Sequence, residues 1–163
     1  MKLYVMRHGP AEDRGHGVAE FDRQLTPKGR DQTAAAARGL ARLGLNASQI
    51  ISSPLLRCLE TAELAAAALA SGQPPEPVDA LAAGASPGAI LQAIRYRPDG
   101  LLLVGHDPDL SQLVSYLLSS EPAPFIDFSK GGVVALESNG APQAGSCRLL
   151  WYLRRKQLAQ LGG

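Results

Sequence analysis

The stretch Leu101-Leu102-Leu103-Val104-Gly105-His106-Asp107-Pro108 constrains this chain more than any other. Four apolar residues in a row show no alternation, so both of their faces must be covered, as in a strand of a buried parallel sheet. Beyond them Leu110, Leu113, Val114, Leu117 and Leu118 follow the i, i+3, i+4, i+7, i+8 stripe of a core-facing helix. Asp107 is the expected N-cap of that helix, with Pro108 at its first position. The unit recurs along the chain. Leu3 to Met6 is a short apolar strand, and a helix is expected from Thr26 as N-cap, through Pro27, to Gly44. Ile50-Ile51 reads as a second strand, followed at once by a helix with Ser53 as N-cap and Pro54 at N1, running to about Ala70. Val78 marks a minor strand, Pro87 opens a third helix that ends before Pro98, and Val133–Leu136 and Leu149–Leu153 close the chain as strands. Gly9 to Gln24 is too charged for core and too irregular for a helix. Strands alternating with helices give an α/β fold of three layers, α/β/α, around a mostly parallel central sheet. The length, 163 residues, with no repeat or linker, suits one domain spanning residues 1–163.

Composition removes several classes of function. Hydrophobic residues make up 45% and charged residues 19%, enough for a core and against disorder. The net charge of +1, from 16 basic and 15 acidic residues, supplies no overall field for nucleic acid or an anionic membrane. The longest apolar run, Leu64 to Ala70, is far short of the ~20 residues that span a bilayer. Met1 leads directly into a strand with Arg7 close behind, so no signal peptide is expected and the location is read as cytoplasmic. Cys58 and Cys147 form no disulfide framework, and His8, His16 and His106 lack the spacing of metal ligands, so neither metal nor cofactor is expected. A P-loop is absent. The run Arg154-Arg155-Lys156 reads as a solvated end.

Three strand-to-helix junctions carry the unusual residues. Arg7 and His8 end the first strand, Arg57 stands in the first turn after the second, and His106 follows the Leu101–Val104 strand. Ligands of open α/β sheets bind outside the carboxyl ends of the strands, so one sheet edge gathers all four. Crowded cations repel one another unless a polyanion lies among them. A phosphoryl group suits forked guanidinium donors, and a neutral imidazole offers it a nucleophilic nitrogen. Taken singly, each residue has a plainer reading. His8 or His106 serves as a structural hydrogen bonder, Arg57 pairs with Glu60 or Glu63 on its own helix, and Arg7 caps the sheet edge.

Together these residues resemble a known family. Met6-Arg7-His8-Gly9 resembles the Arg-His-Gly signature of the histidine phosphatase superfamily, whose fold is phosphoglycerate mutase-like. Leu25-Thr26-Pro27-Lys28-Gly29 with Gln32, Ser53-Pro54-Leu55-Leu56-Arg57-Cys58-Leu59-Glu60-Thr61 and Val104-Gly105-His106-Asp107-Pro108 follow in the family's order. The short chain, the Arg-His-Gly-x-Ala form ending at Ala11 and the Trp151-Tyr152-Leu153 tail look most like SixA-type phosphohistidine phosphatases. The resemblance implies that His8 is the nucleophile, its other ring nitrogen donating to a fixed acceptor, and that Arg7, Arg57 and His106 bind the phosphoryl oxygens, His106 protonated when phosphate is bound. Gly9 and Arg23 are implied as substrate-binding residues. The implied partner is a protein bearing phosphorylated histidine, with phosphate or another oxyanion held in the pocket.

Mutases and sugar bisphosphatases of this superfamily protonate a leaving alcohol with a Glu in a longer insert. The corresponding stretch here, Asp79 to Ser86, has no Glu. An alkoxide needs an acid to leave, whereas imidazole leaves readily once protonated, so the absence favours N–P over O–P substrates. Asp107, Glu12 and Asp13 are the remaining candidate acids, and Asp107 is also needed as a cap. The short region between Ala70 and Leu101 leaves little chain for a lid, which suits a phosphorylated side chain on a folded protein. The alternatives are a phosphomonoesterase for small metabolites and a non-catalytic phosphate-binding module.

Overall fold

A computed structural model describes residues 1–163. Its strands are β1 (Lys2–Arg7), β2 (Gln49–Ser52), β3 (Glu76–Pro77), β4 (Leu101–Gly105), β5 (Val133–Glu137) and β6 (Arg148–Leu153), and its helices are α1 (Pro27–Arg42), α2 (Leu56–Ala68), α3 (Pro87–Ile94), α4 (Asp109–Ser119) and α5 (Arg155–Gly162). They form one six-stranded sheet in the order β3-β2-β4-β1-β5-β6. The first four strands of that order are mutually parallel, and β5 runs antiparallel to β1 and β6. The expected three-layer, mostly parallel α/β fold is therefore present. No helix is long and apolar enough to cross a membrane.

Successive side chains of a strand point to opposite faces, and the core divides accordingly. Leu3, Val5, Leu101 and Leu103 pack with α3 and α4 residues such as Ile90, Ile94, Leu113 and Leu117. Tyr4, Met6, Leu102 and Val104 pack with Ala36 and Leu40 of α1, Ala62 and Ala65 of α2, and Leu158 of α5. All four residues of the Leu101–Val104 run are fully buried, as their lack of alternation requires.

Helix starts depart from expectation in two places. α1 begins as read, with the Thr26 hydroxyl accepting from Gly29 N. α2 starts at Leu56, later than the expected Ser53 cap; the Ser53 hydroxyl accepts from Leu55 N at 3.3 Å and also bonds His106. α4 starts at Asp109 with Pro108 as its N-cap, so Asp107 lies one residue outside the position assigned to it. Its carboxylate still accepts from Ser111 N at 3.2 Å.

The final helix, α5, stands where a solvated end was expected. Its Leu158 is fully buried against α1, and the approach is close: a Cβ placed on Gly39 would lie 1.9 Å from Leu158 O. Alanine would gain about 1 kcal/mol of helix propensity at this position, yet backbone on the facing helix cannot yield. Gly39→Ala is expected to cost about 1–3 kcal/mol net, as overpacking does. Its thermal midpoint should fall by several degrees in a circular dichroism melt, at roughly 2–4 °C per kcal/mol for a chain of this size.

Candidate active site

β4 lies between β1 and β2, and register aligns their ends: Arg7 pairs with Gly105 and Ser52 with Val104. The pattern continues past the strands, His8 N donating to Gly105 O at 3.0 Å and Ser53 N to Val104 O at 2.9 Å. His106 thus emerges between His8 on one side and the Ser53–Arg57 turn on the other. The two imidazole centroids are 5.6 Å apart. A cavity of about 300 Å³ opens over them, lined by Arg7, His8, Arg23, Arg57 and His106 together with Asp13, Arg14, Ala83, Asp107 and Lys130. The residues expected at the three junctions do meet.

His8 is held in one tautomer. Its Nδ1 lies 2.7 Å from Gly9 O, a contact that requires Nδ1 to carry the proton and leaves Nε2 with its lone pair. Burial pushes its pKa down to about 3, against the raising effect of that bond and helped by the charges of Arg57, His106 and Arg7. Gly9 holds the His8 ring through its backbone. Its N–H donates to Thr61 Oγ1 at 3.0 Å and its carbonyl accepts from His8 Nδ1, which fixes the orientation of the imidazole.

Arg57 is buried and pairs with neither Glu60 nor Glu63. Glu60 accepts from Leu25 N and Arg30 Nη2, while Arg57 reaches across to Glu20. Its Nη1 donates to Glu20 O and its Nη2 to Glu20 Oε1, each at 2.9 Å. The same Nη2 is 3.1 Å from His106 Nδ1. A guanidinium only donates, so Nδ1 accepts and His106 Nε2 carries the proton that bonds Ser53 Oγ at 2.6 Å. Burial first, then Arg57, lowers the His106 pKa to about 4. Arg7 Nη1 donates to Phe128 O at 2.7 Å. The Nε atoms of Arg7 and Arg57 are both buried with no partner, an uncommon condition for buried donors.

Arg23 lies in the cavity wall with the other arginines. It is buried, with Nε donating to Glu12 O and Nη1 to the Glu20 carboxylate. Glu20 therefore ties three of the cavity's arginines, Arg14, Arg23 and Arg57, together without lining the cavity itself. Its carboxyl is held below the ordinary range by the Arg23 hydrogen bond foremost, then by Arg57. Of the three candidate acids, Glu12 turns its carboxylate to Gln24, while Asp13 and Asp107 line the cavity. Ala83 is the one residue of the Asp79–Ser86 stretch in the cavity wall, and its loop is fastened through Gly84 N to buried Asp109.

Sequence reasoning missed Glu20, Arg14 and Lys130. Lys130 arrives because β5 is antiparallel, which brings its start to the edge where β1 ends: Gly131 N donates to the carbonyls of Arg7 and His8, and Arg7 N to Gly132 O. The one local signal is Lys130-Gly131-Gly132 immediately before an apolar run.

With this geometry in hand, the histidine phosphatase superfamily (branch 1) model matches residues 3–83, which include Arg7, His8 and Arg57. An uncharacterized protein of Picosynechococcus sp. is 39% identical over 145 residues, covering 86% of this chain and 87% of that protein. The chain belongs to the histidine phosphatase superfamily. Among solved members of like fold, the protein histidine phosphatase SixA complexed with tungstate aligns at a TM-score of 0.82 and 22% identity, over 97% of this chain and 99% of that one. The phosphoserine phosphatase of Entamoeba histolytica, in complex with 3-phosphoglyceric acid, aligns at 0.70 and 18% identity, over 96% and 98%. At these identities the likeness to this superfamily member is one of fold.

The neutral buried imidazoles make stability depend on pH. Both folded-state values lie below the ordinary 6.5, so between about 6.5 and 4 the unfolded chain binds protons that the folded chain refuses. Stability is full above 6.5 and is lost as pH falls through that window. The thermal midpoint should drop from pH 7 to pH 4.5, and more shallowly in His8→Asn, which has no proton to gain.

Proposed function

We propose that this superfamily member hydrolyses phosphohistidine in proteins without a metal ion, through a covalent phosphohistidine on His8. The observation that carries the reading is the state of His8. It is neutral, its Nδ1–H is committed to Gly9 O, and its Nε2 makes no protein hydrogen bond within a cavity lined by Arg7, Arg23 and Arg57. Nε2 attacks phosphorus as the substrate's N–P bond breaks, and the leaving imidazole takes up a proton from water. A water molecule then attacks the phosphoryl group on Nε2, releasing inorganic phosphate and restoring neutral His8.

Charge that develops on the phosphoryl oxygens is met by donors already in place. The buried Nε–H groups of Arg7 and Arg57 gain acceptors when an oxyanion enters. An oxygen near Arg57 Nη2 also favours a proton on His106 Nδ1, so that the residue becomes a second donor. The fold shared with a protein histidine phosphatase complexed with tungstate supports an oxyanion-binding reading. The alanine wall at Ala83 supports an N–P substrate, since no acid is placed there for a leaving alcohol.

A phosphomonoesterase is the second reading, favoured by Asp13 and Asp107 in the cavity wall. One experiment separates the readings. The enzyme is mixed with a protein carrying radiolabelled phosphohistidine, quenched in alkaline detergent and resolved from its substrate. Acid-labile, alkali-stable label mapping to His8 supports the first reading. Absence of label, with rapid release of phosphate from sugar phosphates or phosphoserine, would overturn it.

A further inference from the structure

The basic run Arg154-Arg155-Lys156 has no part in the chemistry above, yet it does not end in solvent. Lys130, which lines the catalytic cavity, also lines a neighbouring groove of about 470 Å³ whose other walls are Pro10, Ser129, Arg154, Arg155 and Lys156. No acidic residue lines this groove. Of its four cations, only Arg154 has an ion pair, an exposed one to Asp127 at 3.2 Å. The Arg155 stem lies on Gly131, where a Cβ would come within 3.0 Å of its Cδ. Gly131 N–H in turn holds the carbonyls of Arg7 and His8. The floor of the groove is thus strapped to the backbone of the nucleophile.

The placement of these charges also works against the fold. Arg154, Arg155 and Lys156 are the N-cap and first two residues of α5, the end of a helix where cations are disfavoured. Clustered positive charge at that end, facing a groove whose own walls carry no acid and offset only by the exposed Arg154–Asp127 pair, favours an anion there.

We propose that the groove of Lys130, Arg154, Arg155 and Lys156 docks acidic side chains flanking the phosphorylated residue of a protein substrate. This rests on the phosphoprotein reading given above. Whatever fills the groove must be continuous with a phosphoryl group in the adjoining cavity, and a chain with carboxylates beside its phosphohistidine has both features. No aromatic side chain lines the groove, which removes the stacking platform that a single-stranded nucleic acid uses. Attraction of this kind acts on encounter and weakens with salt.

The test uses the whole protein and the double variant Arg154→Glu with Lys156→Glu, both exposed positions outside the catalytic cavity. A fluorescent peptide rich in Asp and Glu, without phosphate, should bind wild type at low salt. It should bind the variant at least about tenfold more weakly, with the difference shrinking at high salt as screening predicts. Turnover of phosphoramidate, too small to reach the groove, should be equal in the two proteins, while kcat/KM on an acidic-flanked phosphohistidine peptide falls in step with binding. Equal peptide affinity in both proteins would overturn the docking surface. So would an oligonucleotide of equal charge binding tighter than the peptide. Failure of the phosphohistidine chemistry shows separately, as a wild type that binds the acidic peptide but leaves its phosphorylated form intact.

Discussion

His8→Ala is expected to lose turnover by roughly 10³-fold or more, the scale on which enzymes lose rate when a covalent nucleophile is deleted. The loss should be confined to chemistry. The imidazole makes one hydrogen bond to the protein, from Nδ1 to Gly9 O, and the guanidinium groups of the cavity are held by Phe128, Glu12 and Glu20 instead. The variant should therefore fold and keep its affinity for tungstate or vanadate within a few-fold, while a phosphorylated substrate accumulates on it unhydrolysed. Steady-state release of phosphate together with oxyanion titration checks both halves. Retained turnover would remove His8 from the role of nucleophile.

Arg57→Ala is expected to lower the rate by about 10²–10³-fold, the cost of removing one well-placed donor to a developing oxyanion. Unlike the first variant it should also weaken oxyanion binding, so that kcat falls and KM rises together. It strips a donor from His106 Nδ1 and at once removes one partner of the Glu20 carboxylate, which Arg23 still holds. Arg57→Lys should not restore activity, because a point charge cannot serve Glu20 O, Glu20 Oε1 and His106 simultaneously. Glu20→Gln separates support from direct contact. It keeps an acceptor for Arg57 and Arg23 while removing a negative charge, so its rate should fall less than that of Arg57→Ala. Kinetics on one substrate across the three variants, with oxyanion inhibition constants, checks the order. A Glu20→Gln loss as large as that of Arg57→Ala would show that charge, and not the shape of the clamp, governs the site.

How far this site was legible depends on where each residue finds its partner. His8, Arg57 and His106 could be read because each directly follows a short apolar strand, and parallel strands deliver such residues to one edge whatever the strand order. Arg7 benefits from the same rule. Ser53 and Asp107 misled, since both precede proline and resemble helix caps, yet the Ser53 hydroxyl also bonds His106 and Asp107 sits outside the first turn of α4. At Ser53 a hydrogen bond across the site joins the local one to Leu55 N, and at Asp107 the carboxylate turns to Ser111 on the following helix. Glu20 was invisible because its loop gains meaning only by folding back over α2, fixed by the Ala11–Leu25 bridge and by Arg57 itself. The helix Arg155–Gly162 was hidden by its basic start, although Leu158 is wholly buried. Lys130 required knowing that β5 runs antiparallel, which an apolar run does not reveal.

The wall at Ala83 indicates where this scaffold can be elaborated. Its loop runs from Asp79 to Ser86 and is pinned at Gly84 by Asp109, apart from the strand ends that bear the imidazoles. Residues inserted there would roof the cavity while leaving the β1, β2 and β4 termini untouched. A lineage could thereby narrow access to the cavity without rebuilding the strand ends beneath it.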